Sequence, residues 1–368
     1  MDFIEQVTTL ASELVAIDTR GSQSNIDAAD VCVKALKGFD VEPIDFVDEH
    51  GVKKRVVAAR RGSGPCLALC GHMDTVPDDG WDTAPWTPVV CDGVLHGLGS
   101  ADMKGPIASL LVAAQSVPAD IPVMVLLTTD EETTKAGAYA LIERSQMIRE
   151  SDIRGIVIGE PTGMAPVRGH RASVHFTAVS TGIQAHSASG CGCNANWALL
   201  DFLDGMRGLR EELHSDSTLQ DADYEPAVSD FNLVIENPPT LLSVTVPSAT
   251  ARIKYRYSAG INAGRVADAV RESAKRAKVT LTEEWDGKPL DLPQGHKLVR
   301  MAEAVSGRAA KTQPFGTDAS ALQVVAPCLI MGPGDIKVAH RRGESIRLDE
   351  LASAVPIYVR LAEKAGRG

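Results

Sequence analysis

Four apolar runs in this sequence are each followed, within a few residues, by side chains that can bind a metal or carry a proton. His72 and Asp74 come directly after Leu67-Ala-Leu-Cys, and Asp130, Glu131 and Glu132 follow Val123-Met-Val-Leu-Leu by two threonines. Glu160 closes Gly155-Ile-Val-Ile-Gly, and His340 lies one glycine-rich loop beyond Pro327-Cys-Leu-Ile-Met. Asp102 sits in Gly97-Leu-Gly-Ser-Ala-Asp-Met-Lys-Gly-Pro, which reads as a tight loop ahead of a helix from Pro106 through Gln115. A single His or Glu at a strand end is ordinarily a solvated polar residue. Several carboxylates gathered in one cleft, however, repel unless cations neutralise them. Two histidines with three or four carboxylates form a borderline-hard ligand set that suits Zn²⁺ and accommodates Mn²⁺ or Co²⁺. One Zn²⁺ takes three protein ligands and a water, so five ligands point to two metals with a carboxylate bridging them. Adjacent carboxylates at a strand end point to opposite sides, so one can bind metal while its neighbour serves as a base.

These side chains need a scaffold that brings strand ends together. Runs that are apolar at every position imply strands buried on both faces, hence a mainly parallel sheet covered by helices. In open α/β sheets the carboxyl ends of the strands are where ligands bind. Asp2 to Ile17 places Phe3, Val7, Leu10 and Leu14 on one helical face. Between Gly169 and about Pro289 the texture changes to alternating strands, such as Ser173 to Val179 and Ala251 to Tyr257. Two helical stretches, Asn194 to Leu213 and Ala263 to Lys278, are interleaved with them. Half-buried strands with two helices imply an inserted α+β domain. The expected plan is α/β: a catalytic domain of residues 1–168 and 289–368, interrupted by an insertion of residues 169–288.

Composition narrows the class. The 368 residues carry 37 basic and 48 acidic side chains, a net charge of −11, and no Lys/Arg cluster longer than Lys53-Lys54-Arg55. A phosphate-tracking surface for nucleic acid is therefore not expected. The apolar run from Ile121 to Leu127 is strand-sized and far below the roughly 18–20 residues of a membrane span. The acidic start MDFIEQVTTL is unlike a signal peptide, so a cytoplasmic protein is expected. Of seven cysteines, Cys191 and Cys193 are one residue apart and lack the two-residue spacing and second pair of a zinc ribbon. No Gly-x-Ser-x-Gly elbow supports a serine hydrolase.

The chemistry-bearing segments together resemble the di-zinc aminoacylase/carboxypeptidase family, which includes acetylornithine deacetylase and succinyl-diaminopimelate desuccinylase. The resemblance rests on Gly71-His-Met-Asp-Thr-Val-Pro, the Gly97 to Gly105 loop, Asp130-Glu-Glu-Thr, Gly159-Glu-Pro-Thr, Gly316-Thr-Asp-Ala and Gly332-Pro-Gly-Asp-Ile-Lys-Val-Ala-His. Asp78-Asp-Gly-Trp and Pro166-Val-Arg-Gly-His-Arg are most similar to acetylornithine deacetylases. The resemblance implies that His72, Asp102 and Glu160 hold one metal, and that Asp102, Glu132 and His340 hold the other. It implies that Asp74 orients His72, that Glu131 is the general base, and that the Asp102–Met103 peptide is cis. It gives the insertion the role of a lid and dimerisation domain. There His186, in Gly182-Ile-Gln-Ala-His-Ser-Ala, would reach a partner's site as an oxyanion donor. Arg256 would clamp a substrate α-carboxylate, which Gly316 and Thr317 would also approach.

The implied activity is hydrolysis of an N-acyl-amino acid by a homodimer. N-acetyl-L-ornithine is the first candidate substrate; a desuccinylase, another aminoacylase or a dipeptidase is the alternative. Three segments depart from the family's pattern: Lys254 stands two before Arg256, Val244 three before Pro247, and Arg341-Arg-Gly-Glu follows the last histidine. They leave the implied ligands intact and bear on substrate choice.

Overall fold

The computed structural model describes residues 2–81 and 83–367. The chain divides into two compact units. The first comprises Met1–Arg168, Leu292–Lys311 and Thr317–Gly368; the second comprises Gly169–Asp291 and Thr312–Gly316.

The four apolar runs form the middle of the first unit's sheet. Strands Val123–Thr128, Cys66–His72, Ile153–Pro161 and Cys328–Gly332 lie side by side in that order, each parallel to the next. Every residue of Cys66–His72, Val123–Thr128 and Cys328–Gly332 is buried, as expected for strands covered on both faces. Beyond Val123–Thr128 the sheet continues with Lys53–Arg61 and Asp40–Val47, both pairing antiparallel. The parallel core therefore has an antiparallel margin, which fully apolar runs did not foretell. Helices Phe3–Val15, Lys104–Ser116 and Leu348–Gly366 pack on one another, and the latter two pack on the sheet. The first buries Val7, Ala11, Leu14 and Val15 at helical spacing, and the Asp2 side chain caps it by accepting the Ile4 N–H.

Register sets the site. Leu67 pairs with Val123 and His72 with Thr128, while Cys70 lies beside Ile158 and Leu329 beside Val157. Parallel strands in this register end at nearly the same level, so the residues after them emerge on one edge. The helix expected to begin at Pro106 begins at Lys104, with Pro106 as its third residue. A proline there still loses no helical hydrogen bond, because the first-turn N–H groups have no helical acceptor.

The second unit has an antiparallel sheet ordered Phe231–Glu236, Ser248–Tyr257, Ala172–Thr181, Thr280–Asp286. Helices Asn196–Ser215 and Ala263–Ala277 accompany it. Val174, Phe176 and Ala178 alternate with half-buried neighbours, and their buried face shares a core with Phe202, Met206, Val266 and Val270. Among the described residues no helix is long and apolar enough to cross a membrane.

Close backbone approach at the end of Cys328–Gly332 demands glycine. A Cβ on Gly332 would lie 1.9 Å from the Gly159 carbonyl oxygen and 2.6 Å from that of Glu160. We expect Gly332→Ala to lower unfolding free energy by about 1–3 kcal/mol, the usual range for overpacking. Urea denaturation measures this; an unchanged midpoint would contradict the packing.

Candidate metal centre

Each strand end delivers a polar group to one place. His72 is the last residue of Cys66–His72 and is almost fully buried. Its Nδ1 lies 3.0 Å from the Asp74 carbonyl oxygen and 3.4 Å from Asp74 Oδ1. Its Nε2 lies 3.1 Å from Asp102 Oδ1 and 3.6 Å from Glu160 Oε1. Asp74 is itself buried, and its Oδ2 accepts the Glu132 backbone N–H at 3.1 Å. One carboxylate thus touches both the His72 ring and the loop that carries Glu131 and Glu132. His340 Nε2 lies 2.8 Å from Glu132 Oε1 and 3.3 Å from Asp102 Oδ2. The Asp102–Met103 peptide is cis, as the resemblance implies.

Three sets of potential ligand atoms each lie within 4.8 Å of one another: His72, Asp102 and Glu160; His72, Glu131 and Glu132; Asp102, Glu132 and His340. Asp102 belongs to two of them, placing one oxygen toward His72 and the other toward His340. Imidazole nitrogens and carboxylate oxygens in overlapping sets fit a pair of divalent cations that share one carboxylate.

The charges of the group point the same way. Burial opposes a charged His72, yet the Glu160 charge and hydrogen bonds with Asp102 and Asp74 hold its pKa well above the usual imidazole value. Hydrogen bonds with Asp102 and Glu132 push His340 up to about 10. Burial lifts Glu131 and Glu160 well above the ordinary carboxyl range, with repulsion from Glu132 and Asp102 respectively adding to it. Asp102 goes the other way: burial opposes its ionisation, but hydrogen bonds with His340 and His72 hold its pKa low. Carboxylates gathered in this way favour a neutralising partner, which divalent cations would supply.

One contributor escaped the sequence reading. Glu344 is buried, and its Oε1 accepts the backbone N–H groups of Ala101 at 2.8 Å and Asp102 at 2.9 Å. It anchors the loop that presents Asp102. Its only signal was its place in Arg341-Arg-Gly-Glu, which registered as a departure from the family's pattern and not as a structural group.

The remaining expected residues belong to none of these ligand sets. Thr317, in the first unit, is buried, and its Oγ1 accepts the Ala319 N–H at 3.1 Å. His186, Arg256 and Gly316 belong to the second unit. His186 is exposed, and its Nδ1 accepts the Ala188 N–H at 3.1 Å. Arg256 is half-buried on Ser248–Tyr257, opposite Ser173.

The model of peptidase family M20/M25/M40 matches residues 68–364. The chain belongs to that family. It is 30% identical over 386 residues to an acetylornithine deacetylase of Myxococcus xanthus, covering 98% of this chain and 97% of that protein. An acetylornithine deacetylase of Proteus mirabilis is 28% identical, over 94% of this chain and 92% of its own length. The fold matches that of an M20 family metallo-carboxypeptidase from Sulfolobus solfataricus with a TM-score of 0.78, at 14% identity and over the whole of both chains. As an M20-family member the chain is a hydrolase.

Proton displacement gives a test of the metal centre. Ligands must lose their protons to bind a cation, and the candidate ligands His72, His340 and Glu160 have pKa values raised above the ordinary ones. Binding of Zn²⁺ or Co²⁺ to metal-free protein should therefore release protons, and affinity should rise from about pH 6 to 8. Titration calorimetry in buffers of different ionisation enthalpy measures both. Binding without proton release would contradict the assignment.

Proposed function

We propose that this M20-family hydrolase uses two divalent cations to release an amino acid from its N-acyl form. N-acetyl-L-ornithine is the first substrate, giving ornithine and acetate in a cytoplasmic step of arginine biosynthesis. The observation that carries the reading is the pair of ligand sets joined at Asp102. The likeness to curated acetylornithine deacetylases over nearly the whole chain supports the substrate.

In this reading His72, Asp102 and Glu160 hold one ion, and Asp102, Glu132 and His340 hold the other. Zn²⁺ suits these donors, and Co²⁺ and Mn²⁺ are compatible. When bound, the ions supply Lewis acidity and make hydroxide available near neutral pH. Asp74 keeps the His72 ring oriented through Nδ1, 3.4 Å from its Oδ1. Glu131, next to Glu132 and lifted above the ordinary carboxyl pKa, accepts the proton of the attacking water on its carboxylate and hands it to the leaving amine. Arg256 offers a planar fork for the substrate α-carboxylate. Gly316 and Thr317 approach the same group.

The second unit serves as the lid and dimerisation domain. Phe231–Glu236 is an edge strand on which Leu233, Val234 and Ile235 are exposed, and Trp197 and Leu200 are exposed on Asn196–Ser215. An open apolar edge favours pairing with a second copy. His186 then acts in the partner's site, donating a hydrogen bond to the oxyanion.

A panel of N-acyl amino acids and dipeptides, offered to metal-stripped protein with and without Zn²⁺ or Co²⁺, tests the activity. Metal-restored release of ornithine is expected. Turnover of other acyl amino acids alone would keep the chemistry and assign specificity to Lys254, Val244 and Arg341–Gly343. No metal-dependent turnover at all would overturn the proposal.

Glu131→Gln should retain both ions and lose about 10²–10⁴-fold in kcat, the typical contribution of a positioned acid–base group. Metal analysis with steady-state kinetics checks this, and near-normal turnover would remove Glu131 from the role. His186→Ala should lose about 10²–10³-fold, as for a deleted oxyanion donor. Mixing these two inactive variants should restore part of the activity through hybrid dimers that carry one intact site; no recovery would argue against a shared site.

A further inference from the structure

We propose that Lys54 is a positioning residue that holds the loop of Glu131 and Glu132 against the metal centre; the inference rests on the metal-centre reading above. Lys54 is fully buried, on the strand Lys53–Arg61. A buried ammonium is strongly unfavourable unless its donors are satisfied. Its Nζ donates to the carbonyl oxygens of Gly21 at 2.7 Å and Gln23 at 2.8 Å, and pairs with Asp130 Oδ1 at 3.0 Å. Asp48 Oδ2 lies farther away, at 3.8 Å. The three close partners come from two separate segments, so the ammonium joins them.

Both segments lead to the centre. Asp130 directly precedes Glu131 and Glu132. It has a φ of 60°, a left-handed conformation uncommon outside glycine, and its carbonyl accepts the Lys135 N–H at 2.6 Å. The Gly21–Gln23 segment continues a strap that is itself tied to the His72 strand end. Thr19 Oγ1 donates to the Met73 carbonyl at 2.6 Å, and the Thr75 N–H donates to the Thr19 carbonyl at 3.3 Å. A second buried lysine, Lys104, donates to the Ile17 carbonyl at 2.6 Å. The strap also packs on the loop, since a Cβ on Gly21 would meet Thr133 Cγ2 at 3.1 Å. Lys54 is the charged link between the strap beside His72 and the loop that carries the proposed base and a proposed ligand. Loss of that link displaces both carboxylates together, without touching substrate.

The test compares Lys54→Met with the double variant Lys54→Met/Asp130→Asn. The single variant leaves a buried carboxylate unpaired and melts earlier; the double variant removes that charge and recovers part of the melting temperature, since the Gly21 and Gln23 carbonyls remain without their donor. A merely structural lysine would let activity recover with it. A positioning lysine leaves the double variant with kcat about 10–100-fold down, KM near wild type, and the second Co²⁺ bound about 10–100-fold more weakly, as for other groups that orient metal ligands. Co²⁺ titration followed by visible absorption reads the binding independently of turnover. Wild-type kcat and Co²⁺ affinity in the double variant would overturn the inference. Where Lys54→Met does not fold, Asp130→Asn alone carries the same readouts, and full activity with normal Co²⁺ binding in it overturns the inference. Wild-type protein that binds no Co²⁺ would instead remove the metal-centre reading, and this inference with it.

Discussion

Electrostatic repulsion among closely gathered, buried and half-buried carboxylates is the constraint on which the first unit's site depends. Buried Asp102 and Glu160 and half-buried Glu131 and Glu132 crowd around buried His72 and exposed His340, and the inner part of the group is poorly screened by water. Left alone, such a group relaxes by taking up protons or by moving apart. The raised pKa of Glu131 and Glu160 registers the first response. The surrounding structure blocks the second, so cations are the natural complement.

Hydrogen bonds from behind hold the loops that carry two of the candidate ligands, Asp102 and Glu132. Glu344 receives the backbone of Ala101 and Asp102, and Asp74 receives the Glu132 N–H while facing the His72 ring. Asp318, which lies two residues beyond Gly316, is buried and accepts the Thr128 hydroxyl at 2.6 Å, just where a strand gives way to the loop of Glu131. These supports are acidic themselves, and their partners are mostly backbone N–H groups and hydroxyls. Such donors stabilise an anion without bringing a full positive charge that would compete for the ligands.

The second unit answers to a different constraint. Its antiparallel sheet keeps one face on two helices, so its strands alternate and can carry charge, as Lys254 and Arg256 do between buried Ile253, Tyr255 and Tyr257. That freedom suits the substrate-binding and assembly role proposed above for this unit. Two of the three departures from the family's pattern, Lys254 and Val244, lie in this unit, and the third, Arg341-Arg-Gly-Glu, lies in the first unit.

The candidate ligands stand out in the sequence because strands buried on both faces read as uninterrupted apolar runs, and any polar group that ends such a run is conspicuous. The parallel sheet, the amphipathic first helix and the alternating strands of the second unit were legible for the same reason: each is a periodicity. The antiparallel margin and the assignment of Thr312–Gly316 to the second unit were not, since neither leaves a local pattern. Nor were Lys54 and Glu344. In sequence a buried charged residue looks like a solvated one, and the partners that make its burial tolerable lie far along the chain, 33 positions away for Gly21 and 242 for Asp102. Composition and local spacing therefore determined which atoms are available for chemistry. Only the tertiary structure decided which of them are held, because long-range hydrogen bonds to buried charges arise from the folding of the whole chain.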